Sequence, residues 1–153
     1  RYGIRIDEHS LHTDGAGAGE FRGGCGAVRT YRSMNENQTF TASFGRNKWP
    51  VWGAAGGKDG SINYFQFINA DGAVSEPTGI VARRVMNTND VVRMVTATGG
   101  GYGNPLKRPA EKVAMDAKNE YITVEQAKEV YGVLLDPDTF AVLGFTEERQ
   151  RAE

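Results

Sequence analysis

The sequence predicts a mainly β fold with short helices towards its carboxy-terminal end. Three observations carry that expectation. Short runs of Val, Ile, Phe and Tyr are separated by turn residues, twenty glycines stand against only five prolines, and helix-capping signals appear only after Pro105.

Taken in order, Tyr2, Ile4 and Ile6 alternate with Gly3 and Arg5, the period-two pattern of a half-buried strand. A glycine-rich stretch runs from Gly15 to Gly26. Ala27 to Met34 reads as a second strand, and Thr39 to Phe44, where Phe40, Ala42 and Phe44 alternate, as a third. Between them, Asn35-Glu36-Asn37 has the residues of a hairpin turn. A second glycine loop, Trp49 to Ser61, holds both tryptophans. Ile62 to Ile68 is a further strand, turning at Ala70-Asp71-Gly72. Asn87 to Asp90 turns the chain into Val91 to Thr98, a β-branched run suited to burial, and Gly99 to Gly103 forms the third glycine stretch.

After Pro105 the character changes. Pro109 and Glu111 suit the first turn of a helix ending near Asn119. Thr123-Val124-Glu125-Gln126 has the spacing of a capping box, and Gly132 closes the helix it opens. Val133 to Leu135 and Phe140 to Leu143, joined at Asp136-Pro137-Asp138, predict a small hairpin. Thr146 to Arg149 predicts a last, frayed turn. The chain thus divides into a β-rich glycine-loop domain, 1–104, and a helical and hairpin tail, 105–153, packed on it.

Composition bounds the function. Of 153 residues 39% are hydrophobic and 24% charged, which implies a thin core or one completed by a partner. Eighteen basic and nineteen acidic residues give a net charge of −1, with no field to gather nucleic acid or anionic lipid. No apolar run is long enough to span a membrane, and the amino-terminal residues lack the apolar core of a signal peptide. The chain opens without Met, so residues before Arg1 are expected in the gene. Cys25 is the single cysteine, which excludes an internal disulfide and suits the cytoplasm.

Motifs for chemistry are weak. Gly15, Gly17 and Gly19 resemble part of a dinucleotide fingerprint, but Glu20 or Arg22 occupies the final glycine position and a strand follows. Gly57-Lys58 fails as a phosphate loop, because Trp52 replaces the required glycine and Asp59 the required Ser or Thr. His9, His12 and Asp14 form the one cluster with metal-ligand character, yet an odd spacing on a strand sends the two imidazoles to opposite faces. No serine lies in a nucleophile elbow, Cys25 between Gly24 and Gly26 reads as a small packed thiol, and Asp7 and Glu8 read as solvated acids. Trp49, Trp52, Tyr64, Phe65 and Phe67 fit core packing or burial against a partner better than a substrate pocket.

Three stretches together resemble the carboxy-terminal part of the hydantoinase B/oxoprolinase family. They are Gly15 to Val28, with its aromatic-Arg-Gly-Gly-x-Gly core at Phe21-Arg22-Gly23-Gly24-Cys25-Gly26; Pro50 to Gly57, similar to the family's Gly-x-x-Gly-Gly loop; and Thr98 to Arg108, where Asn104 stands in place of the family's usual Asp. The tail, with Tyr131-Gly132-Val133, looks like the family's ending, so the resemblance spans roughly residues 2–135.

The resemblance implies a part of a larger assembly. Larger hydantoinase B-type subunits and hydantoinase A-type subunits are the implied partners, and ATP and a divalent metal are expected on them, with no cofactor in this chain. It implies a small, non-catalytic subunit of an ATP-dependent ketone carboxylase of the acetophenone carboxylase kind. The alternatives are the end of an ATP-dependent cyclic-amide hydrolase and, from another class, a free-standing β-rich binding module. It also implies extended, polyproline-II-like glycine segments beside antiparallel sheet. There Gly17, Gly19, Gly23, Gly24, Gly26, Gly56, Gly57, Gly99, Gly100, Gly101 and Gly103 would be structural. Arg22 and Arg108, set among them, would donate to carbonyls that no sheet partner satisfies.

Overall fold

The computed structural model describes residues 3–152, so Tyr2 lies outside the described residues. The chain divides into two units whose segments interleave along the sequence. One takes the residues up to His12, Gly26–Pro50 and Ile62–Ala97; the other takes Thr13–Cys25, Val51–Ser61 and the chain from Thr98 onward. The tail 105–153 therefore shares a unit with two glycine-rich segments that precede it by many residues.

The first unit is built on two antiparallel sheets. Strands β1 (Ile4–His12), β2 (Gly26–Ser33), β4 (Tyr64–Ile68) and β6 (Val91–Val95) form a four-stranded sheet in the order β1-β2-β6-β4, while β3 (Gln38–Ser43) pairs with β5 (Ile80–Met86). Phe65, Phe67, Val81, Met86 and Val92 are buried together, with Tyr31, Phe40, Phe44 and Met94 packed against them. Phe44 stacks on Phe65 at 4.3 Å, and Phe40 meets Phe65 and Phe67 edge-on at 5.6 Å. Such pairs each add about 0.5–1.5 kcal/mol beyond burial.

That aromatic packing corrects the expected hairpin at Asn35-Glu36-Asn37. The turn is present, with Asn37 left-handed at φ 56°, but β2 lies between β1 and β6 and does not pair with β3. The chain crosses instead to the second sheet, where Phe40 and Phe44 reach Phe65. Strand β5 has no counterpart in the sequence reading. Its alternation is broken at Arg83, which takes φ 52° in a bulge and donates its N–H to Thr41 Oγ1 at 3.0 Å.

The second unit holds three glycine-rich segments, 13–25, 51–61 and 98–104, outside regular helices and strands. They bond main chain to main chain. Gly17 N–H donates to Gly99 O at 2.9 Å, Lys58 N–H to Ala18 O at 2.7 Å, and Gly101 N–H to Lys58 O at 2.9 Å. A Cβ at Gly17 would collide with Lys58 O and Gly101 N, one at Gly57 with Gly101 O, and one at Gly101 with Ala18 O. Gly19, Gly23 and Gly100 are crowded in the same way by Tyr102, Gly99 and Trp52. In the first unit, Gly26 lies against Thr96 O. One end of the bundle is pinned by the buried Thr98, whose hydroxyl donates to Gly15 O at 2.7 Å and accepts from Ser61 N–H at 2.8 Å.

Helices follow where the caps predict them. After a 3-10 turn at Pro105–Lys107 come α1 (Ala110–Lys118) and α2 (Val124–Tyr131). Both bonds of the Thr123–Gln126 capping box are made, and Gly132 closes α2 in the left-handed region at φ 66°. Val113, Ala117, Ala127, Tyr131, Val133 and Leu135 form a second buried cluster. Strands β7 (Val133–Leu135) and β8 (Val142–Phe145) make the terminal hairpin, and α3 (Glu147–Ala152) ends it. This last element is not the expected frayed turn. Arg149 is buried and donates to Tyr131 O at 2.9 Å and Arg108 O at 2.8 Å.

Gly24 departs from its expected role: nothing lies within 4 Å of a Cβ built there. Gly57→Ala should therefore cost about 1–3 kcal/mol through overpacking, whereas Gly24→Ala should stay within about 0.5 kcal/mol. Thermal unfolding of the two variants side by side checks the contrast.

Candidate functional site

Within the second unit, charge concentrates at one point. Helix α1 buries Ala110, Val113, Asp116 and Ala117, so Asp116 is an acid on an otherwise apolar stripe. Its Oδ2 receives Arg22 Nε at 3.2 Å, Arg108 Nε at 3.1 Å and Arg108 NH2 at 2.9 Å. All three side chains are largely withdrawn from water, at 12%, 11% and 10% exposure for Arg22, Arg108 and Asp116.

One further nitrogen of each guanidinium group meets main chain. Arg22 NH1 reaches Gly23 O at 3.2 Å and Arg108 NH1 reaches Glu20 O at 3.0 Å. Arg22 also contacts Cys25 Sγ at 3.5 Å and lies 4.8 Å from the Tyr121 ring centroid. Burial opposes the Arg22 charge, but Cys25 and Asp116 outweigh it and hold its pKa above the ordinary value. Burial raises the Tyr131 phenol above its usual 10.0; Asp116 adds to the rise, and Arg108 and Arg22 oppose it. The arrangement ties two glycine-flanked arginines to one helix. Sequence reasoning missed Asp116, although a lone acid at helical spacing among Ala110, Val113 and Ala117 was the available signal.

The metal-ligand candidates are not brought together. His9 Nε2 accepts from Arg29 Nε at 3.3 Å, and His12 Nδ1 lies 2.9 Å from Thr96 O, which fixes it as a donor. Both sit on β1 at an odd separation, and Asp14 follows in the next segment. Among the described residues no group of three His, Cys, Asp or Glu side chains could hold a metal ion.

Glycine conformation matters at two of the remaining motif positions, Gly56 and Gly103, with φ 93° and 77° in the left-handed region. Phe65 and Phe67 are core, whereas Trp49 and Trp52 are exposed. In the first unit a cavity of about 490 Å³ is lined by Tyr31, Phe40, Met86, Val92 and Met94 together with the polar Arg32, Ser33, Gln38 and Thr39. In the second, a cleft of about 340 Å³ lies beside Asp14, Glu120, Tyr121 and Phe140, and a smaller one of about 100 Å³ beside Ala16, Ala18 and Tyr131. No helix among the described residues is long and apolar enough to cross a membrane.

A family model for hydantoinase B/oxoprolinase matches residues 1–105. The chain belongs to the hydantoinase B/oxoprolinase family. The B component of a putative D-/L-hydantoinase, from Pseudomonas sp. (strain NS671), is 29% identical over 135 residues, covering 88% of this chain and 23% of the relative. The beta component of caprolactamase from Pseudomonas jessenii is 32% identical over 145 residues, covering 88% and 24%.

Two solved structures extend the likeness of this family member. The crystal structure of ATP-dependent caprolactamase from Pseudomonas jessenii superposes with TM-score 0.72 at 29% identity, over 99% of this chain and 26% of the other. Nucleotide-free acetone carboxylase superposes with TM-score 0.72 at 18% identity, over 98% and 24%, a likeness of fold. The chain spans about a quarter of the length of the curated relatives it matches and corresponds to their carboxy-terminal portion.

Asp116→Ala should destabilise the fold by about 3–5 kcal/mol, because it strands two buried guanidinium groups; denaturant unfolding measures this. Tyr131 adds a pH dependence. Its folded pKa lies above the ordinary 10.0, so the stability from its neutral phenol is complete below that value and is lost as pH rises through the folded pKa. Melting temperatures followed from about pH 9 to 11 should fall more steeply in the native protein than in Tyr131→Phe.

Proposed function

We propose that these residues are a non-catalytic scaffolding portion of the B-type component of an ATP-dependent, multi-subunit enzyme that opens cyclic amides. One observation carries the scaffolding role: the polar side chains inside the glycine bundle are spent on each other and on main chain. Arg22, Arg108 and Asp116 form one buried cluster, with further bonds to Gly23 O and Glu20 O. Two guanidinium groups bound in this way are positioned to hold segments in place rather than to meet a substrate.

Support for cyclic amides comes from identity. The hydantoinase and caprolactamase relatives stand at 29–32%, and the acetone carboxylase at 18%. ATP and a divalent metal would be held by a hydantoinase A-type partner and the remainder of the B-type component. A second reading, a small subunit of a ketone carboxylase of the acetophenone carboxylase kind, is supported by the equal superposition on acetone carboxylase over almost the whole chain.

The test is ATP hydrolysis by the intact assembly. A lactam or hydantoin should stimulate it, and stimulation only by a ketone with bicarbonate would favour the carboxylase reading. Asp116→Ala should lower the yield of assembled enzyme while the enzyme that does assemble keeps its KM for the cyclic amide within about twofold, as expected of a group outside the reacting centre. A large KM change in assembled enzyme would overturn the scaffolding role.

A further inference from the structure

Phe21, Tyr102 and Ala54 sit side by side on three neighbouring main chains of the glycine bundle. Phe21 and Tyr102 form an antiparallel bridge with both bonds made, each 2.9 Å. Tyr102 bridges Ala54 in the parallel sense, through Ala54 N–H to Gly101 O and Gly103 N–H to Ala54 O, again 2.9 Å each. Directly bridged residues project to the same face. Two aromatic rings, 6.2 Å apart and tilted by 57°, therefore share one side of the bundle with a methyl group.

This face is open. Phe21 is 59% exposed, Tyr102 57%, and Trp52, two residues before Ala54, 71%; Ala54 is exposed as well. The main chains beneath the rings are closely packed: a Cβ at Gly57 would meet Gly101 O, and one at Gly101 would meet Ala18 O. The backbone that carries the rings is therefore ordered before binding, which leaves only the side-chain rotamers to be fixed. None of the three cavities described above is lined by Phe21, Tyr102 or Trp52. No member of the bridged trio carries charge, which does not suit phosphate or nucleic acid. Contiguous exposed aromatics on a rigid base are the usual centre of a protein–protein contact.

We propose that the Phe21–Tyr102 face docks onto the rest of the B-type polypeptide. This rests on the reading given under Proposed function and adds the surface through which it operates. The argument for that occupant is one of length. These residues match only 23–26% of the relatives, so three quarters of a B-type polypeptide accompanies this portion in each of them. An aromatic pair exposed on these residues taken alone calls for a lasting neighbour, and that polypeptide is one.

Photocrosslinking in the intact assembly tests the proposal. With p-benzoylphenylalanine at position 21 or position 102, mapped crosslinks should fall in B-type sequence outside these 153 residues. The double variant Phe21→Ser, Tyr102→Ser should weaken association with the B-type polypeptide at least about thirtyfold, with an unchanged circular dichroism spectrum. Crosslinks confined to these residues, to a second copy or to an A-type subunit would overturn the proposal, as would unchanged affinity in the double variant. If that variant misfolds, the crosslinks alone decide. Amide-stimulated ATP hydrolysis with crosslinks elsewhere refutes the docking face alone; a native chain that binds no B-type polypeptide refutes both readings.

Discussion

Main chain packed directly on main chain is the constraint from which the second unit follows. No β-carbon fits at Gly17 or Gly101, so there the three segments hydrogen-bond main chain to main chain. Such packing forfeits the side-chain burial that normally stabilises a core. The apolar contribution must come from elsewhere, and in this unit it comes from the cluster around Val113, Ala127, Tyr131 and Val133 on the following helices and strand.

Two polar devices complement the glycines. At one end, Thr98 and Ser61 exchange bonds with each other and the Thr98 hydroxyl donates to Gly15 O, joining all three segments through hydroxyl groups. Further along, Asp116 draws Arg22 and Arg108 to the first helix. The two differ in what they demand. The hydroxyl pair is neutral and loses little by burial, whereas the ionic cluster holds two cations against one anion and depends on carbonyl acceptors to complete its bonding. Carbonyls left over by an irregular bundle are plentiful, which is why arginine suits the place.

Legibility in the sequence tracked how local the determinant was. Helix α2 was readable to the residue at both ends, because the Thr123–Gln126 box and Gly132 act within a few positions of the bonds they make. The central strands were readable from alternation. Strand β5 was not, since its bulge at Arg83 resets the period halfway along. Pairing partners were out of reach, and so β2 and β3 were joined in a hairpin that the aromatic core forbids. Gly23 and Gly24 show the same limit at finer scale. Neighbours on an extended chain point to opposite sides, and only the fold shows that Gly23 faces Gly99 while Gly24 faces open space. The cluster at Asp116 joins residues 94 positions apart, and no spacing rule connects them.

The interleaving of the two units bears on how the chain comes to be made. Gly17 leaves the ribosome well before Gly101, yet neither can settle without the other, and the sheet strands between them belong to a separate unit. The nascent polypeptide therefore carries its early glycine segment without its native partners until the third segment emerges. Closing such long loops is slow relative to local folding. During that interval the early segment lacks the main-chain partners of the finished bundle, and the order of synthesis becomes part of what the sequence must accommodate.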